Sequence, residues 1–180
     1  MPGRTAEDIL SLEYQTVLTA FAGSRCLLGF DFDGTLAPVA RDPDQAEIRP
    51  RTRGLMAELC LLYPCVVISS RSRSNLRLRV RGLRFKGVVP AEARHQGRAL
   101  ERERARLRCD TAIYLGDGGA DEAVFKLDQP GRLLTIRMGQ KEGSCADFCL
   151  RGQGQVDRLL RRLIALRRRP GVPSTQPGSA

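Results

Sequence analysis

Short apolar runs alternate with segments of helical spacing over most of the chain. Continuous apolar runs predict strands, and apolar residues three and four positions apart predict helices. The predicted strands cover residues 26–31, 65–69, 84–89, 111–115, 132–137 and 147–150. The predicted helices cover residues 5–21, 51–63, 72–80, 96–108 and 154–168, with a short one near Ala120. This alternation predicts an α/β, Rossmann-like fold in which helices cover both faces of a mostly parallel sheet.

The chain has 180 residues, a length that suits one domain. We predict a single core over residues 1–168 and a disordered tail over residues 169–180, which are rich in Pro, Gly and Ser. No apolar run approaches the roughly 18 residues of a membrane span, so no membrane partner is expected. The N-terminus lacks an apolar signal segment, which predicts a cytoplasmic protein.

Acidic residues follow the first of the predicted strands. The apolar residues 26–30 run directly into Asp31 and Asp33, with Gly34 and Thr35 behind them. Ligands bind at the carboxyl ends of strands in open α/β sheets, and two acids buried there need a cation or a proton. One aspartate can attack phosphorus, and the other can pass a proton to the leaving oxygen. The alternative is a turn with two solvated aspartates.

Three motifs, in order along the chain, resemble those of the haloacid dehalogenase-like phosphatase superfamily. They are Phe-Asp-Phe-Asp-Gly-Thr-Leu at residues 30–36, Val-Val-Ile-Ser-Ser-Arg at residues 66–71, and Tyr-Leu-Gly-Asp-Gly-Gly-Ala-Asp-Glu-Ala-Val-Phe at residues 114–125. Within the superfamily, residues 24–165 are similar to the trehalose-phosphate phosphatases. The resemblance implies Mg²⁺-dependent hydrolysis of a small phosphorylated substrate, such as a sugar phosphate, through an aspartyl-phosphate.

The resemblance also implies a role for the polar residues at the strand ends. Asp31 would be the nucleophile, and Asp33 the general acid and then the base. Ser69 would donate a hydrogen bond to a phosphoryl oxygen. Asp117 would hold Mg²⁺ together with Asp31 and the backbone carbonyl of Asp33. Magnesium favours oxygen ligands of this kind, and phosphoryl transfer depends mainly on positioning and charge stabilisation.

Four nearby residues are expected to support the site. Asp121 would lie behind the metal ligands, although acids also favour helix N-termini because of the helix dipole. The hydroxyl of Thr35 would support the loop, and Gly34 would allow a backbone conformation that other residues oppose. Arg71 either faces the phosphate or is a solvated surface residue.

Three positions depart from the motifs of the superfamily, and the first of them is Ser70, which replaces a glycine after the second motif. Gln96 stands where the superfamily has a lysine that neutralises the nucleophile and the transferring phosphoryl group, and Gly118 stands where it has a second aspartate. An amide supplies no charge-assisted hydrogen bond, so a large loss of rate is expected. Gln96 and Arg98 are predicted to lie near the phosphate, with Arg94 or His95 as other sources of positive charge.

Only 44 residues (72–115) lie between the second motif and Gly116. The predicted core elements fill this segment and leave no room for the cap domain that the family inserts here. Because lid closure normally excludes water and assists specificity, the site is expected to be open. A catalytically impaired binding or regulatory module is therefore the alternative to a slow phosphatase.

The net charge of +10 comes entirely from residues 71–108, the basic segment, which holds 13 basic and 3 acidic residues. Such a segment attracts acidic or phosphate-rich partners, so binding of a nucleic acid, another polyanion or a protein partner is a further alternative. Genomic base composition would produce the same excess of arginine, and the aromatic content is only 5%. The six cysteines lack Cys-x-x-Cys spacing, which favours reduced thiols over a zinc site.

Overall fold

The structure, a computed structural model, describes residues 6–169. Seven strands form one sheet in the order β1-β7-β6-β5-β2-β3-β4, and each pairing among them is parallel. The strands are β1 (Glu7–Asp8), β2 (Cys26–Phe30), β3 (Cys65–Ser69), β4 (Gly87–Pro90), β5 (Thr111–Gly116), β6 (Leu133–Met138) and β7 (Phe148–Leu150). The predicted single α/β domain with a parallel sheet is confirmed.

Helices cover both faces of the sheet, as predicted. They are α1 (Gln15–Gly23), α2 (Pro50–Leu62), α3 (Arg73–Arg79), α4 (Gln96–Arg106), α5 (Glu122–Phe125) and α6 (Gln153–Arg167). Successive side chains of a strand point to opposite faces. Leu28 therefore packs in the core beneath α1, α2, α3 and α6, whereas Leu27 packs in the core beneath α4 and α5. Burial on both faces explains why the central strands are continuous apolar runs.

The prediction of a helix over residues 5–21 is wrong in its first half. Glu7–Asp8 forms the edge strand β1, residues Leu12–Tyr14 form a 3₁₀ turn, and the helix begins only at Gln15. The Asp8 carboxylate accepts a hydrogen bond from the backbone N–H of Leu10 at 2.9 Å, a local bond that competes with helix formation. Residue 5, where the helix was predicted to begin, lies outside the described residues, as do residues 170–180 of the predicted tail.

The segment of residues 72–115 forms α3, β4, α4 and β5. Each of these elements is a strand of the sheet or a helix packed on it, as expected for a segment without an inserted domain. The absence of a cap from the whole protein stays a prediction. All six cysteines are free thiols, and no helix within residues 6–169 is long and apolar enough to cross a membrane.

The order of strands changes direction at β2. The chain continues from β2 to β3 and β4 on one side, and then returns to place β5 and β6 on the other side. The crevice beyond the carboxyl ends of β2 and β5 is thus a topological switch point, where open α/β sheets bind their ligands. Asp31 directly follows β2 and Asp117 directly follows β5.

Candidate active site

Three carboxylates meet at this switch point. Asp31, Asp117 and Asp121 each place one oxygen within 4.8 Å of the other two. Asp31 and Asp117 are 86 positions apart in the sequence, and they meet because β2 and β5 are neighbouring parallel strands. We call these three residues the carboxylate cluster.

Asp31 is held in place by the strand beside it. Its backbone N–H donates to the carbonyl of Leu115 at 2.9 Å, which continues the β2–β5 pairing by one residue. The side chain is buried, with the residue 8% exposed. Burial, with a further contribution from the negative charge of Asp121, raises the pKa of the Asp31 carboxyl well above its usual range.

Gly34 is required by the close approach of the two loops. Its φ is +74°, and a Cβ atom at this position would overlap the Asp117 carboxylate and lie 2.9 Å from its Cγ. Only glycine adopts this backbone conformation readily and leaves the space free. Gly34 therefore allows the carboxylate of Asp117 to lie against the loop that carries Asp31.

Asp121 organises the loop that follows β5. Its carboxylate accepts hydrogen bonds from the Tyr114 hydroxyl at 2.7 Å and from the backbone N–H groups of Asp117 and Gly118 at 3.0 and 3.2 Å. Burial raises the pKa of Asp121 to about 6, although these hydrogen bonds act in the opposite direction. Asp121 thus lies behind Asp117, and its role toward a metal stays a prediction. Tyr114, the first residue of the third motif, is a supporting residue for which no role was predicted.

The carboxylate cluster has the donor set of a divalent cation site. Burial also raises the pKa of Asp117, and the nearby guanidinium of Arg137 offsets this only in part. Among residues 6–169, no lysine, arginine or histidine nitrogen lies within 4.0 Å of the Asp31 carboxylate. Buried carboxylates without a positive partner are costly, and carboxylate oxygens are the ligands that Mg²⁺ takes in proteins. The residues present therefore fit this ion.

Arg71 contacts the carboxylate of Asp33. Its Nε and Nη2 each donate to one oxygen of the Asp33 carboxylate at 2.7 Å. The Arg71 side chain is only 10% exposed, whereas that of Asp33 is 42% exposed. Further bonds to the Pro43 carbonyl and the Asn75 side chain fix the guanidinium. The structure thus places Arg71 as a bidentate clamp on the predicted general acid, and its contact with a phosphate stays a prediction.

Ser69 ends β3, next to the strand that leads to Asp31. It is buried, and among the described residues its Oγ accepts a single long hydrogen bond of 3.4 Å, from the backbone N–H of Arg71. The Thr35 hydroxyl is buried and has no hydrogen-bond partner among the described residues. Instead, the Thr35 carbonyl accepts from the Gln153 side chain at 2.6 Å. The loop is therefore supported through the backbone of Thr35, not through the hydroxyl as predicted.

Comparisons with known proteins agree with this architecture. Residues 29–86 match the family model of trehalose-phosphatase. The chain is 24% identical over 143 residues to trehalose 6-phosphate phosphatase RA3 of Zea mays, covering 77% of this chain and 39% of the relative. The C-terminal domain of the trehalose-6-phosphate phosphatase of C. albicans superimposes with a TM-score of 0.67 at 12% identity, over 89% of this chain and 98% of that domain. The predicted resemblance to the haloacid dehalogenase-like hydrolases is confirmed.

The similarity is not limited to trehalose-phosphatases. A 3-deoxy-D-manno-octulosonate 8-phosphate phosphatase from Moraxella catarrhalis, solved in complex with magnesium and phosphate ions and a KDO molecule, has a TM-score of 0.65 at 14% identity. That alignment covers 82% of this chain and 91% of the other. At such identities the solved structures establish the fold. The chain spans only part of the length of the curated relatives that it matches. It covers 39% of the maize protein and 31% of probable trehalose-phosphate phosphatase 9 of Oryza sativa subsp. japonica.

The structure also describes Gln96, which stands where the resemblance implied a lysine. Gln96 begins α4 and is 1% exposed, and its Oε1 has no hydrogen-bond partner among the described residues. Arg94 and His95 are exposed, and Arg94 pairs with Glu92 at 3.1 Å. Arg98 is exposed and follows Gln96 by two positions, which places it on a different side of the helix. The structure therefore does not bring the predicted Arg98 to the carboxylate cluster.

Arg137, at the end of β6, is a residue that the motif analysis missed. Its guanidinium packs against Gly118, where a Cβ atom would overlap Nη1 and lie 2.5 Å from Cζ. Arg137 is buried, its Nε has no partner among the described residues, and its Nη1 is 3.5 Å from Glu122. The guanidinium thus occupies the space that a side chain at position 118 would need. A charged residue within residues 133–138, which are otherwise apolar except for Thr135, was the available signal.

Proposed function

We propose that this chain is a Mg²⁺-dependent phosphomonoester hydrolase of the trehalose-phosphatase-like type. The observation that carries the proposal is the meeting of Asp31 and Asp117 at the switch point of the sheet. The family model and the names of the relatives support the same reaction class. Burial and charge make the cluster suited to a cation rather than to three free carboxylates.

The chemistry follows from the placement of Asp31 and Asp33. An oxygen of Asp31 attacks phosphorus, the bond from phosphorus to the leaving oxygen breaks, and Asp33 gives that oxygen a proton. Water then attacks the aspartyl-phosphate, Asp33 takes its proton, and inorganic phosphate leaves with the Asp31 carboxylate restored. Because both oxygens of Asp33 accept from Arg71, protonation of Asp33 weakens the pairing, since the charge of the carboxylate is lost.

Several residues orient the reacting groups. The Ser69 hydroxyl donates a hydrogen bond to a phosphoryl oxygen, and Gly34 allows Asp117 to lie close to Asp31. Asp31, Asp117 and the backbone carbonyl of Asp33 would hold Mg²⁺, with Asp121 fixing the Asp117 loop. The ion would supply positive charge that lowers the repulsion between the nucleophile and the anionic substrate.

The proposed substrate is a small sugar phosphate, and trehalose 6-phosphate is the first candidate because the curated relatives are named for it. The assay measures phosphate release from a panel of sugar phosphates, nucleotides and phosphopeptides, with and without Mg²⁺. Asp31→Asn should abolish release, whereas Asp110→Asn, which changes an exposed aspartate outside the site, should not. Equal rates in wild type and Asp31→Asn would contradict the proposal.

A second candidate is a binding or regulatory module with weak or no catalysis. It is favoured by the buried amide of Gln96 and by the absence of a cation within 4.0 Å of Asp31 in the described residues. In that case Gln96→Lys should create or greatly raise activity, because it adds charge where the superfamily has it. A robust wild-type rate that Gln96→Lys leaves unchanged would rule out this second candidate.

A cytoplasmic location also stays a prediction.

A further inference from the structure

The fold gathers part of the basic segment around the edge strand β4. This strand is at one end of the sheet, and it lies between α3 on one face and α4 on the other. A groove of about 440 Å³ follows the strand. Its charged and aromatic lining residues are Arg73, Arg77, Phe85, Lys86, Arg102, Glu103 and Arg106. We call it the β4 groove.

The β4 groove carries an uncompensated positive charge. Five cationic side chains and one carboxylate line it, which leaves +4. The single carboxylate, Glu103, pairs with Arg106. Arg77, Lys86 and Arg102 are exposed, and within residues 6–169 their side chains make no hydrogen bond or ion pair.

Two of the arginines also donate hydrogen bonds to backbone carbonyls and so stabilise the fold. Arg73 donates to the carbonyl of Val88 at 3.0 Å, and Arg106 donates to the carbonyl of Lys86 at 2.8 Å. Charged side chains on an edge strand prevent it from pairing with another chain. Arg77 and Arg102 make no such bond to the strand, so edge protection does not account for them.

We propose that the β4 groove binds the phosphate backbone of single-stranded nucleic acid. Guanidinium groups match phosphate oxygens in a bidentate geometry. Phe85 packs against the core and is partly exposed in the groove. In the proposal a base stacks on its exposed part, which is how single strands are bound without sequence preference. The volume is that of a small-molecule pocket, which admits a short stretch of one strand rather than a duplex. The proposal is independent of the phosphatase reaction, because none of these residues belongs to the carboxylate cluster.

The test is fluorescence anisotropy of a labelled oligothymidine with the full chain over a range of salt concentrations. The double variant Arg77→Gln/Arg102→Gln should weaken binding about tenfold at low salt, and lower the slope of log K against log salt by about 1.4. The matched control is Arg158→Gln/Arg161→Gln, which removes the same charge from exposed residues of another basic groove, along α6. It should bind like the wild type. Circular dichroism checks that both variants are folded.

Three results would overturn the proposal. They are no binding at low salt, equal weakening in the two double variants, and equally tight binding of polyglutamate in place of oligothymidine. Inorganic polyphosphate carries phosphates but no bases, so it distinguishes binding of the phosphate backbone from stacking of the bases. Phe85→Leu should weaken oligothymidine binding several-fold and leave polyphosphate binding unchanged, and the same loss for both ligands would refute the stacking role. The Asp31→Asn variant should bind oligothymidine normally, whether or not the chain is a phosphatase.

Discussion

The carboxylate cluster should make the stability of the metal-free protein fall as the pH rises from about 4 to 7. Burial raises the pKa of Asp31, Asp117 and Asp121 above their ordinary values in the folded state. A carboxyl with a raised folded pKa contributes stability that is fully present below its unfolded pKa. That contribution is lost as the pH rises through the folded pKa, because folding then requires an unfavourable buried charge.

The size of the effect follows from Asp121. Its pKa rises from the ordinary 3.8 to about 6 in the folded protein, and one pKa unit corresponds to about 1.36 kcal/mol. The unfolding free energy should therefore lose about 3 kcal/mol from this residue alone once the pH is well above 6. Asp121 is 1% exposed, so solvent screening reduces this value little.

Urea unfolding in EDTA, followed by circular dichroism between about pH 4.5 and 7.5, measures the effect. The comparison is with Asp121→Asn, which cannot titrate, so the difference in unfolding free energy between the two proteins isolates this residue. If that difference is the same at both ends of the pH range, the reasoning about burial is refuted. Adding Mg²⁺ should restore stability near pH 7 by binding the folded state, and it should have little effect at low pH, where the carboxyls hold protons.

Three further outcomes are expected from unfolding measurements. Arg71→Gln and Asp33→Asn should each destabilise the folded protein, with a coupling energy of about 1 kcal/mol in a double-mutant cycle. The value is modest because Asp33 is partly exposed, and additive effects of the two substitutions would contradict the clamp. Gly118→Ala should lower the unfolding free energy by about 2 kcal/mol or more, because of its φ of +109° and its overlap with Arg137. Adding Arg137→Ala in the same chain should relieve part of that loss, so an unrelieved loss would argue against the contact. Gln96→Met should raise the unfolding free energy by about 1 kcal/mol, since it removes a buried oxygen without a partner; a loss of stability would show that the oxygen is bonded.

The fold and the centre of the site could be predicted from the sequence because both depend on strong local patterns. Apolar runs that end in Asp31, Ser69 and Asp117 indicate strand ends, and parallel strands bring such ends to one edge. The adjacency of β2 and β5, which places Asp31 beside Asp117, follows from the topology of the superfamily that the motifs resemble. Gly34 was recognised for its conformation, although its contact with Asp117 was not.

What could not be predicted depends on side chains from separate segments. The clamp of Arg71 on Asp33 requires a particular arrangement of the loops after β2 and β3, which no periodicity encodes. Arg137 lies on a strand without a motif, and its contact with Gly118 appears only when β5 and β6 are aligned. At the N-terminus, pairing of two residues with β7 overrode a helical apolar spacing, because tertiary contacts outweigh local propensity in so short a segment.

The two-residue strand β1 joins segments from opposite ends of the described chain. Glu7 and Asp8 pair with Phe148 and Cys149, and the Asp8 side chain also accepts from Gln155 in α6 at 3.0 Å. Shortening the chain past Asp8 would leave the backbone of β7 as a bare outer strand, ready to associate with another molecule. Glu7 and Asp8 therefore cover backbone groups of β7 that could otherwise pair with another molecule.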